Sequence, residues 1–232
     1  MIAGLLFLAT FVTSIPALGL YDSVLNNHHF ILGAGTDTPV YFGAFLEVLL
    51  AIANIGTAVV LYPILRRQSE AASLGYVATR VVESTVIVVG LISLMSVVTL
   101  RQDIGGAGAA NPGSLLITGR ALVAIHDGTF LLGPAFCAGI GNGILLGWLM
   151  LKSGLMPRGL ALLGIVGGCL AFATATAVLF GAYAQTSPQS FLFTLPEAIW
   201  ELSIGLYLTF KGFKPSPILF DDDEVPPLLQ PA

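Results

Sequence analysis

Charge is what this sequence has least of. Only 9% of its 232 residues are Asp, Glu, Lys or Arg, against roughly 25% in soluble domains. No water-exposed surface can be assembled from that inventory. Cysteine is nearly missing too. Cys137 and Cys169 both fall in apolar runs, which excludes a disulfide framework; a buried free Cys behaves as a small hydrophobe. Of three histidines only His126 lies in an apolar run, and no ligand spacing predicts a metal site. The net charge of −4 comes partly from Asp221, Asp222, Asp223 and Glu224 at the end of the chain, so nothing here offers nucleic acid a basic face. Alternation of apolar and polar residues over about ten positions, the mark of a membrane barrel, is missing as well.

What is present is apolar length. The chain is 56% hydrophobic, with a mean hydropathy of +0.90. Runs of about 20 apolar residues, the length a helix needs to cross the hydrocarbon, recur along it. They predict an all-α polytopic bundle with spans at about 2–20, 40–65, 73–100, 121–151, 159–184 and 190–210, within a domain of residues 1–213. No Lys or Arg precedes the first run, so it reads as a retained helix rather than a signal peptide. Residues 21–39 read as a polar loop carrying His28 and His29, and 101–120 as a Gly-, Ala- and Asn-rich loop. The Pro-rich, acidic segment 214–232 is expected to be largely disordered.

Loop charge sets the expected orientation. Arg66, Arg67, Lys152, Arg158, Lys211 and Lys214 fall on one side, and only Arg101 and Arg120 on the other. The positive-inside rule then predicts both termini in the cytoplasm and a multi-pass protein of the cell membrane.

Against this apolar background the intramembrane polar groups stand out. Glu47 and Asn54 are seven residues apart on the second span and share a face; Arg80 and Glu83 are one turn apart on the third. The fourth carries His126, Asp127, a Gly133-Pro134 break and Asn142, and the sixth carries Glu197, Trp200 and Glu201. An arginine at membrane depth needs an acceptor, and Glu83 or Glu201 is expected to supply it. Arg80, Glu83, Asn54, Asn142, Trp200 and Glu201 are thus expected to form an interhelical polar network. The predicted orientation places Glu47, His126, Asp127 and Glu197 about 10 Å below the outer surface, where they are expected to line an outward-opening cavity. Gly139, Gly143 and Gly147 on span four, and Gly164, Gly168, Ala171 and Ala175 on span five, form small-residue faces suited to close packing, inside the chain or in a homo- or hetero-oligomer.

Five runs, GAFLEVLLAIANIGTAVVLYPILRRQSE, LGYVATRVVES, AIHDGTFLLGP, GNGILLGWLMLKSGLMPRGLALLGIVGG and PEAIWELSIGLYLTFKGF, together resemble the DUF4386 family of bacterial membrane proteins. The similarity extends from about Ile2 to Pro217. Glu47, Arg80, Glu83, His126, Asp127, Asn142, Pro157, Arg158, Trp200 and Glu201 match its polar pattern. That family is uncharacterised, so the resemblance implies topology and no reaction.

Three functions compete. The leading one is the binding or translocation of a small molecule or ion through the polar cavity. An accessory subunit docking membrane partners through the Gly/Ala faces is the second. An intramembrane enzyme using His126 with carboxylates stands behind both, and no cofactor is identified. A cavity joining Glu47, His126 and Glu197 favours a ligand site; an exposed small-residue face favours the accessory role.

Overall fold

The computed structural model describes residues 1–33, 36–107 and 111–220. Six helices are long and apolar enough to cross a membrane: α1 (Ile2–Leu20), α2 (Thr38–Leu65), α3 (Glu70–Ala107), α4 (Pro112–Ser153), α5 (Arg158–Leu179) and α6 (Pro188–Phe210). No strand occurs among the described residues. The protein is therefore a six-span helical membrane protein. Each helix packs against the next in the chain, and α6 returns to α1 and also touches α4, closing a ring. Both ends of the ring are capped by local chemistry. At the starts of α4 and α6, the Asn111 and Ser187 side chains accept from Gly113 N and Ser190 N, each with proline in the first turn. Gly154 and Gly212, at φ of 67° and 69°, end α4 and α6 in the left-handed region that favours glycine.

We call the end of the ring that holds Met1 proximal and the opposite end distal. The proximal half is filled by Phe7, Leu61, Tyr76, Leu146, Trp200 and Ile204 with their neighbours. A second core at the distal end holds Ala17, Tyr21, Phe30, Ile31, Val40, Leu94, Val98 and Leu115, all from α1 to α4 and the α1–α2 connection. A polar layer lies between the two cores. The distal halves of α5 and α6 contribute nothing to the second core.

Two expected loops are more ordered than their composition predicts. In the 101–120 region α3 continues to Ala107 and α4 starts at Pro112. The extension of α3 is held by Arg101, which pairs with Asp37 at 3.1 Å and stacks over Phe30 at 4.4 Å. The start of α4 is anchored by Leu115, buried in the distal core. At 42 residues α4 would be about 63 Å long at 1.5 Å per residue, twice the hydrocarbon thickness of about 30 Å, so the hydrocarbon cannot hold its whole length. In the 21–39 region, a helical turn (Asp22–Leu25) and a 3₁₀ turn (Phe30–Leu32) bury Val24, Phe30 and Ile31. Span five stops earlier than expected, at Leu179, because Gly181 takes a φ of 75°.

The start of the expected disordered tail is also docked. Lys214 N–H donates to Leu155 O at 2.8 Å, and the Ser216 hydroxyl donates to Ser153 O at 2.5 Å. Arg67 reaches Ile218 O and Phe220 O at 3.3 and 3.2 Å. Ile218 and Leu219 lie against the proximal core, an apolar anchor that tail composition conceals. Residues 221–232 lie outside the described residues.

Candidate functional site

The polar layer begins at Arg80, which is 2% exposed. A bare guanidinium at this depth is untenable, and each of its three nitrogens donates a hydrogen bond. One nitrogen (Nη1) donates to Glu83 Oε2 at 2.8 Å, Nη2 to Asn54 Oδ1 at 2.6 Å and Nε to Asn54 O at 3.4 Å. Asn54 Nδ2 then donates to the other oxygen of Glu83 at 3.3 Å. Helical spacing explains the choice of partner: residues three apart lie on one face. The other carboxylate in reach by sequence, Glu201, accepts instead from Asn142 Nδ2. Trp200 Nε1 donates to the Asn142 carbonyl at 2.9 Å. That carbonyl belongs to one of two π-helical stretches in α4, Leu131–Ala135 and Gly139–Leu146. Their wide turns loosen the i to i−4 ladder, which makes a backbone acceptor available to a side chain.

Distal to this network Glu47 accepts from the Tyr21 hydroxyl at 3.0 Å. Burial, followed by the charge of Glu47 and this hydrogen bond, holds the Tyr21 phenol above its ordinary pKa, so Tyr21 remains the donor at neutral pH. The Tyr21 ring meets His126 edge-on, with centroids 5.9 Å apart. Gly90 is required at this level: a Cβ there would lie 3.4 Å from His126 Cδ2 and would collide with the Thr129 hydroxyl.

Glu197 is the exception in the layer. It is 4% exposed, and neither carboxylate oxygen has a hydrogen-bond partner. Its space is made by glycines. A Cβ on Gly143 would lie 2.6 Å from Glu197 Oε2, and one on Gly167 would lie 2.8 Å from the Glu197 nitrogen.

These groups face one cavity of about 280 Å³, with Glu47, Asn54, Arg80, Glu83, His126, Glu197 and Glu201 all on its wall. Asp127 is not among them. Its side chain is 67% exposed, with Oδ1 3.6 Å from His126 Nδ1, and it lines a separate distal cleft with His28 and Arg120. Adjacent helical residues diverge by about 100°, so His126 and Asp127 cannot both point inward. Asn142 and Trp200 are buried beside the cavity rather than on it. The core around Tyr21 lies distal to Glu47, joined to it by the Tyr21 hydrogen bond.

The small-residue faces are consumed inside the chain. A Cβ on Gly168 would come within 2.7 Å of Gly143 Cα, and one on Gly147 within 3.0 Å of Ile165 N, so α4 and α5 pack backbone to backbone. Sequence reasoning missed the contribution of α1, whose Thr10, Phe11, Ser14 and Leu18 line the cavity. The only signal was their 3–4 residue spacing, which an apolar helix obscures. It also missed Tyr21, and the role of Gly167 beside Glu197. Among the described residues no three His, Cys, Asp or Glu side chains converge to hold a metal ion.

A family model described as a domain of unknown function, DUF4386, matches residues 2–212. No curated protein and no solved structure matches the chain.

Proposed function

The chain belongs to the DUF4386 family, and from that membership and the cavity geometry we propose that it binds or translocates a small molecule or ion in the polar layer of its six-helix ring. The observation that carries this reading is Glu197. A buried carboxylate without a partner costs several kcal/mol, and a scaffold gains nothing from keeping one. Acceptors are in excess on the cavity wall: Arg80 is already shared between Glu83 and Asn54, while Glu47, Glu197 and Glu201 face the same space. A ligand that brings hydrogen-bond donors or positive charge fits, and a primary ammonium with its three donors is the simplest such group. The accessory-subunit reading loses its support, because the glycine faces that would dock a partner are buried between α4 and α5.

The protein is read as a multi-pass protein of the cell membrane with both termini in the cytoplasm. Supporting this, Arg66, Arg67, Lys152, Arg158, Lys211 and Lys214 gather at the proximal end, the side that the positive-inside rule assigns to the cytoplasm. The cavity then lies in the outer half of the bundle.

Binding of butylammonium and dodecylammonium to the full-length protein in lipid nanodiscs tests the site. Saturable binding of at least one of them is expected, weakened about tenfold or more in Glu197→Gln, as loss of a charge-assisted hydrogen bond implies. Lack of Glu197-dependent binding by both ions would overturn the proposal.

A further inference from the structure

The residues that line the cavity and are also exposed show where it opens. They are Leu18 of α1, 43% exposed, Phe130 of α4, 37% exposed, and Phe191, Leu195 and Ala198 of α6, the first two 69% and 37% exposed. None is polar. On α6 the residues Phe191, Leu195 and Ala198 follow one helical stripe down to Glu201, and on α1 Phe11 and Leu18 follow another. Both stripes run along the distal halves of their helices. The tight approaches of α1 and α6 lie at the proximal half. A Cβ on Gly205 would lie 3.1 Å from Phe7 Cβ, and one on Gly4 would lie 2.7 Å from Gly205 O. The two helices are thus clamped at the proximal end, and distally they share, with Phe130 of α4, the apolar exposed rim of the cavity.

We infer that the site takes a single-chain amphiphile with a cationic, hydrogen-bond-donating head, and that it enters sideways from the bilayer through the apolar rim that the distal halves of α1 and α6 form with Phe130 of α4. This deepens the proposed function and rests on it. Three observations combine. The buried, unpartnered Glu197 calls for a donor. The exposed residues at the rim of the cavity are all apolar. The cavity, about 280 Å³, is near the lower limit of ligand pockets, about 300 Å³. It accommodates a head group and the first methylenes; the rest of the chain lies along the mouth and in the lipid. Carboxylates at membrane depth require such an occupant or water, because lipid chains cannot satisfy them.

The test uses the full-length protein in nanodiscs and a dodecylammonium probe with a diazirine at its tail, with labelled positions read by mass spectrometry. Saturable labelling concentrated in 11–18, at Phe130 and in 191–198 is expected. It should fall about tenfold or more in Glu197→Gln, and likewise in Ala198→Phe, which narrows the mouth. Unaltered thermal transitions of both variants in the same nanodiscs serve as the folding control. The wild-type labelling map decides independently if a variant fails to fold. Labelling spread over the lipid-facing Ile52, Val59, Val89 and Val166 would overturn the inference. So would labelling insensitive to Glu197→Gln. If butylammonium binds in a Glu197-dependent way and dodecylammonium neither competes nor labels, sideways entry fails and the binding function stands. If neither binds, both fail.

Discussion

Replacing Arg80 by Met tests whether the polar layer holds the bundle together. The substitution keeps most of the volume and removes the donors. Glu83 Oε2 and Asn54 Oδ1 lose their partners, the Asn54 carbonyl keeps the Thr57 hydroxyl, and Glu83, 5% exposed, becomes a buried charge with Asn54 as its remaining donor. Two magnitudes compete. Neutral interhelical hydrogen bonds in membranes average about 0.6 kcal/mol, whereas breaking a buried ion pair costs about 3–5 kcal/mol. The burial of Arg80 and its bond to both sides of Asn54 place it with the second. At about 2–4 °C per kcal/mol for a chain of this size, Arg80→Met should lower the thermal transition in detergent by roughly 6–20 °C. Arg158→Ala, on an exposed residue, should change it by no more than about 2 °C. Arg80→Met/Glu83→Gln should recover much of the loss, because removing both partners of a buried pair is often nearly neutral. A single-variant shift no larger than that of Arg158→Ala, or a double variant as unstable as the single, would refute the reasoning and mean that the layer is open to water.

Gly168→Ala should destabilise the α4–α5 contact by about 1–3 kcal/mol, since its Cβ would lie 2.7 Å from Gly143 Cα; Gly159→Ala, with open space around it, should leave the detergent melting point unchanged. With both native cysteines replaced by alanine, an impermeant maleimide added to intact cells should label Asn27→Cys and Ser114→Cys but not Ser69→Cys; the opposite pattern would invert the orientation. Ser216→Ala should cost about 1 kcal/mol and speed proteolysis after Lys214, because the hydroxyl anchors this segment to Ser153 O; unchanged cleavage would show that the docking of 214–220 does not depend on it.

The six helices were readable because spanning a bilayer leaves a signal of composition and length that tertiary context cannot hide. Within the site, legibility tracked locality. Glu83 sits one turn from Arg80, so their contact follows from helix geometry. Spacing could not settle groups on different helices. Glu201 reaches Asn142 and Glu47 reaches Tyr21 across 59 and 26 positions, through helix rotations that only packing fixes. Asp127 was grouped with His126 by depth, and neighbours at one depth on a helix still diverge by about 100°. The glycines of span four read equally well as an oligomer face or an internal seam. Their complement, Gly168 with Ala171, lies within the same chain. Loop composition misled at 101–120, where Asn111 and Pro112, read as breakers, cap and start α4.

Glu197 decides between a scaffold and a site, and stability measurements can separate them. The polar atoms left unpartnered around the cavity are His126 Nδ1, Asn142 Oδ1 and both oxygens of Glu197. Asn142 Oδ1 and the Glu197 oxygens are acceptors when Glu197 is ionised, so collapse of the ring could not pair them with one another. His126 Nδ1, which could donate, lies 3.6 Å from Asp127 Oδ1, so the donor for Glu197 comes from water or a ligand. In the empty protein Glu197 is then a burden, and Glu197→Met should stabilise it. Relief of an unsatisfied buried polar group is worth about 1–3 kcal/mol, or roughly 2–12 °C in the melting transition. The same substitution should abolish ammonium binding, the trade of function for stability expected of a ligand site. A melting point lowered by Glu197→Met would show that the carboxylate has a structural partner, and the argument that it awaits a ligand would fall with it.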